Sequence, residues 1–92
     1  MERQVSLLSI PINTGKLSGM VYTFEQVGDT LPMHTHVEGN AHITIVARGK
    51  VKAHGDKWSE EYSAGAVVDF PPNQAHEFTA LEGGSRIVNI IK

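Results

Sequence analysis

Turn-forming residues interrupt this 92-residue chain about every 6 to 12 positions, and the runs between them are short and rich in strand formers. Val5 to Ile10 is a β-prone run expected to stop at Pro11, and Gly15 and Gly19 punctuate the next stretch. Met20 to Phe24 favours a strand and ends at the Gly28-Asp29 turn signal. His42 to Ala47 leads into Arg48-Gly49-Lys50, which reads as a hairpin turn. Val51 to His54 turns at Gly55-Asp56, returns as Lys57 to Tyr62, and turns again at Ser63-Ala64-Gly65. Ala66 to Phe70 is stopped by Pro71-Pro72, His76 to Ala80 by Glu82-Gly83-Gly84, and Arg86 to Ile91 closes the chain. No segment sustains a 3.6-residue apolar period. The pattern predicts an all-β sandwich or barrel, one domain over residues 1–92, without linker, repeat or low-complexity segment. A short helical turn near Val37–Asn40 would not change that class.

Composition narrows the function. A chain of this size buries a thin core, so sheet closure, a metal or a dimer contact would each stabilise it. Charged residues are 20%, the net charge is −2, and no Lys/Arg patch with interleaved aromatics occurs, which argues against nucleic acid. No apolar stretch approaches the roughly 20 residues that span a bilayer. Met1-Glu2-Arg3-Gln4 lacks a signal-peptide pattern, and there are no cysteines. Disulfides and thiolate metal sites are thereby excluded, and a cytoplasmic protein is expected.

Four of the five histidines fall into two clusters: His34-Thr35-His36 followed by His42, and His76 after Pro71-Pro72-Asn73-Gln74-Ala75. Imidazole suits divalent Fe, Mn, Ni, Cu and Zn. Residues two apart on an extended segment share a side, so His34 and His36 can serve one ion, with His42 and His76 arriving from neighbouring strands.

These clusters sit inside a longer pattern. Gly28 is followed by five residues and His34-Thr35-His36, and six residues separate His42 from the next glycine of the pattern, Gly49. Gly65 is followed by five residues, Pro71-Pro72-Asn73, then His76 and Ala80. This pair of motifs resembles that of the cupin family, and the 15-residue spacer Lys50 to Ala64 resembles its small single-domain members. The resemblance implies an antiparallel double-stranded β-helix, or jelly-roll barrel, binding one divalent transition metal through His34, His36, His42 and His76. It also implies a homodimer. The chain departs from the pattern where His42 replaces a glutamate, Asn73 a glycine and Ala80 an asparagine. With His42 as ligand the ion keeps more positive charge and loses an adjacent carboxylate base. Glu38 has the parity of His34 and His36 and is the alternative, but Gly39-Asn40 is expected to turn the chain there.

Wall candidates for such a barrel are Tyr22, Phe24, Met33, Thr44, Val46, Phe70, Phe78 and Asn89, of which Tyr22, Met33 and Phe78 are read as substrate-binding. Arg86 is a candidate carboxylate clamp. Trp58 and Tyr62 share a face of their strand and read either as a dimer contact or as packing over the barrel. His54, before a hairpin turn, is expected in solvent, and Glu77 outside the barrel. No general acid or base is assignable among Glu25, Glu38, Asp69 and Glu77. Two functions stay open: a metalloenzyme, dioxygenase-like, acting on a small organic acid or enol, and a non-catalytic module that binds a small ligand or holds a structural metal.

Overall fold

In the computed structural model, residues 7–13, 15, 18–34, 42–70 and 75–91 are described, without the side chains of Leu7, Pro32, Met33, His34, His42 and Ile91. These residues form nine strands and no helix: β1 Leu7–Asn13, β2 Ser18–Phe24, β3 Thr30–His34, β4 His42–Arg48, β5 Lys50–Gly55, β6 Trp58–Ser63, β7 Val67–Asp69, β8 His76–Ala80 and β9 Ser85–Ile91. They pair antiparallel in two sheets. The five-stranded sheet has the order β1-β2-β9-β4-β7, and the four-stranded sheet has the order β3-β8-β5-β6. Only the β1–β2 and β5–β6 connections stay within a sheet, and the other six cross between sheets. The alternation of the chain between two facing layers makes this a jelly-roll double-stranded β-helix.

The core lies between the layers. In β8, His76, Phe78 and Ala80 are buried while Glu77 and Thr79 are half-buried, the two-residue period of a strand with one face inward. Val51 and Ala53 of β5 sit opposite Ala80 and Phe78 and are fully buried with them. Phe24, Val46 and Ile87 supply the facing side from the five-stranded sheet.

Two local features depart from the sequence reading. β1 does not end at Pro11 but runs through it to Asn13, with Pro11 opposite Met20. β1 is an edge strand, where the missing proline N–H breaks no ladder on its open side. Arg48-Gly49-Lys50 is a corner and not a hairpin, because β4 and β5 belong to different sheets. Gly49 takes a φ of 75°, and a Cβ there would fall on the Ser85 hydroxyl. That hydroxyl accepts from Lys50 N at 3.0 Å and donates to Glu82 O at 2.8 Å, which fastens the corner to the start of β9. By contrast Gly55 to Trp58 is a true hairpin, with Lys57 at φ 73° supplying the left-handed position such turns use. Among the described residues no helix is long and apolar enough to cross a membrane.

Candidate metal site

His76 opens β8 and is fully buried. Its ring stacks on Phe70, with centroids 4.1 Å apart and planes 11° apart, and meets Phe78 edge-on at 5.7 Å. Phe70 in turn lies 6.1 Å from Trp58. Flat contact on one side and an edge on another hold the imidazole in one orientation. Gly55 makes room beside it, since a Cβ there would collide with the Trp58 indole and the carbonyl of Ala75, the residue before His76.

His34 ends β3 directly opposite His76. Simple alternation would not bring it there. Leu31 pairs with Phe78 and His34 with His76, so three steps along β3 match two along β8. The extra residue is a bulge, which resets the parity of the strand and lets both Leu31 and His34 oppose buried residues. His42 opens β4 in the facing sheet, opposite Ile91, and has the parity of Thr44 and Val46, both buried.

The register therefore brings together two of the four predicted ligands and sets a third at the start of a strand in the opposite layer. His36 and Glu38 lie outside the described residues, as do the side chains of His34 and His42. Among the described residues no group of three metal-binding side chains occurs. Next to His42 in register, the buried Thr44 hydroxyl donates to Asn89 Oδ1 at 2.7 Å. With its Oδ1 accepting from Thr44, the Asn89 amide keeps its N–H₂ group as a donor.

The remaining candidates sort by face. Tyr22 is half-buried and packs against the core opposite Ile87, while Phe78 is fully buried. The Met33 side chain lies outside the described residues. Trp58 and Tyr62 are half-buried and pack against the core. Burial and then the charge of Glu60 push the Tyr62 phenol above its ordinary value of 10.0. Arg86 does not reach the interior. It is exposed, and its Nε donates to Thr23 Oγ1 at 3.0 Å on the outer side of the sheet, so the clamp reading falls. His54 is on the outer side as expected but not free in solvent, because its Nε2 lies 3.1 Å from Glu77 Oε1 and 3.2 Å from Thr79 Oγ1. The contacts of Phe70 and Gly55 with the His76 surroundings carry no signal in the sequence, since each joins residues from separate strands.

No protein-family model matches the chain, and no curated protein matches it. Solved structures do. KdgF from a Halomonas species is similar with a TM-score of 0.80 at 20% identity, over 99% of this chain and 83% of that one. An RmlC-like cupin protein from Desulfovibrio desulfuricans gives 0.79 at 21% identity, over 92% and 80%. The Cupin_2 domain of an XRE family transcriptional regulator from Enterobacter cloacae gives 0.78 at 14% identity, over 94% and 95%. At these identities the likeness is one of fold.

Proposed function

We propose that this chain, which has the cupin fold, binds one divalent transition metal through His34, His36, His42 and His76 and acts with it on a small organic acid or enol, in the manner of a dioxygenase. The observation that carries this reading is the register of β3 and β8, in which a bulge sets His34 opposite the buried His76. Support also comes from His42 at the head of β4 in the facing layer, and from the donor set, since imidazoles suit Fe, Mn, Ni, Cu and Zn rather than Mg or Ca. When bound, such an ion supplies Lewis acidity at a substrate oxygen or a centre where dioxygen and substrate meet. The protein's own part is positional. Phe70 and Phe78 orient the His76 ring and exclude water from one side of it. The Thr44–Asn89 pair offers neutral hydrogen-bonding groups beside His42 in register and no carboxylate.

The test is elemental analysis of untagged protein purified without added metal, beside His34→Ala and His42→Ala variants. About one Fe, Mn, Ni or Cu per chain, reduced in both variants, is the expected result. Protein that stays folded and takes up none of these ions when offered them overturns the reading.

A second reading is a non-catalytic binding module with a ligand or structural metal in the barrel. It is favoured by the likeness to a regulator's Cupin_2 domain over 95% of that domain. Oxygen uptake on a panel of small acids and enols separates the two. Turnover supports the enzyme, and thermal stabilisation by a compound without turnover supports the module.

A further inference from the structure

We propose that Trp58, Glu60 and Tyr62 form a binding site for an organic ammonium group on the inward side of the edge strand β6. Register and burial carry the argument. Trp58 stands opposite Gly55, Glu60 opposite Ala53 and Tyr62 opposite Val51. Ala53 and Val51 are fully buried, so this row of β6 faces the side of the core. Trp58 and Tyr62 follow that placement, half-buried and packed against the core. Glu60 lies between them with the same parity, yet it is exposed, on the outermost strand of its sheet. A carboxylate thus stands where the pattern calls for an apolar side chain. The adjacent Glu61, on the outer side, is paired with Lys50 at 3.2 Å. Among the described residues no ion pair includes Glu60, and its neighbours on the inward side, Ala53, Trp58 and Tyr62, bring no cation to it.

The chemistry of the row points to the ligand. Residues two apart on a strand are about 6.6 Å apart, so a cation held on the Glu60 carboxylate is within reach of an aromatic ring on either side. Trp and Tyr faces attract cations, and a weakly hydrated alkylammonium gains more there than Na⁺ or K⁺, because it sheds its water at lower cost and lays methyl groups on the rings. The charge of Glu60 is felt at the Tyr62 phenol, which burial first and Glu60 second push upward. A charge directed inward on an edge strand also blocks the addition of a further strand, but either sign performs that task. Only a cation site needs the negative sign. This inference does not depend on the metal.

Trp58 is the single tryptophan of the chain, so its emission reads the site directly. Titration of the full chain with tetramethylammonium chloride is expected to shift that emission saturably, with a Kd on the order of 1–10 mM. Sodium chloride at equal ionic strength and tert-butanol, a neutral molecule of similar shape, are expected to leave it unchanged. Glu60→Gln should weaken binding at least about 10-fold and Glu60→Lys should abolish it, while Tyr62→Phe, which keeps the ring, should change the Kd by less than about 3-fold. Glu60 is exposed, so both of its variants should keep the wild-type circular dichroism spectrum. A peptide carrying trimethyl-lysine separates two sources of the group. Affinity equal to that of tetramethylammonium assigns a free amine, and affinity at least about 10-fold tighter assigns a protein-borne one. No shift with either probe overturns the proposal. So does a shift that sodium chloride or tert-butanol reproduces, or one that either Glu60 variant leaves intact.

Discussion

On the outer side of the four-stranded sheet, His54 bonds Glu77 and Thr79, Thr79 lies 3.3 Å from Thr30, and Lys50 reaches Glu61 at 3.2 Å. On the outer side of the five-stranded sheet the corresponding layer is Ile10, Val21, Val88, Ile45 and Val67. Both sheets bury their inner faces, so burial against the core does not explain the difference. The four-stranded sheet has the polar-out pattern of a sheet that meets water. In β4 and β9 the pattern is reversed at one end, where Thr44 and Asn89 are buried and Ile43, Ile45 and Ile90 lie outward. An inward polar pair in so thin a core lowers stability unless it is bonded, and Thr44 and Asn89 bond each other. The polar end of the interior is the end where His42 begins β4. The contrast teaches that the five-stranded sheet carries a bonded polar pair on its inner face and an apolar row on its outer one, while the four-stranded sheet keeps its polar groups outward.

Four substitutions sharpen or break this contrast. The largest effect is expected from Phe78→Ala, which strikes the interior both sheets share. It should lower unfolding free energy by about 3–5 kcal/mol in chemical denaturation, and a loss below about 1 kcal/mol would mean the layers do not close on a common core. Thr44→Val removes the donor to a buried Asn89 oxygen and should lower stability by about 1–3 kcal/mol. An increase in stability would instead show that the inward polar pair is dispensable to the fold. Thr79→Val on the wet face removes a partner of His54 and of Thr30, and because water can replace it the loss should stay near 0.5–1 kcal/mol, roughly, in the same denaturation experiment. The smallest effect concerns Tyr62. Its raised phenol ionises later in the folded than in the unfolded chain, so its contribution is whole below pH 10.0 and lost as pH rises through the folded value. Tyr62→Phe should flatten the alkaline fall in melting temperature, and an unchanged alkaline limb would remove Tyr62 from the account.

Much of the fold was legible because strands and turns write their signals locally. β8 has the bounds expected from His76 to Ala80, and the Gly55-Asp56 hairpin lies where its turn residues point. The motifs around Gly28, His34, Gly49, Gly65 and His76 carried the resemblance to the cupin family, and that resemblance implied the jelly roll that the two sheets form. Two readings fail for a common reason. Pro11 and Arg48-Gly49-Lys50 have the composition of a strand end and a hairpin, yet the first lies in an edge strand and the second at a corner between sheets. Local propensity does not distinguish an edge from a centre or a hairpin from a corner. The Arg86 clamp fails similarly, because the face that residue takes depends on the register of β9 against β2.

The sequence by itself determined the all-strand character, the turn positions and the pairing of chemistry-bearing histidines with glycine and proline spacing, because each is set by residues within a few positions of one another. Only the tertiary structure decided that a bulge sets His34 against His76, that Phe70 stacks on that ring, and that one apolar row runs from Ile10 to Val67. Each of these joins residues from different strands, and the register that aligns them is settled only when both faces of a sheet compete for burial.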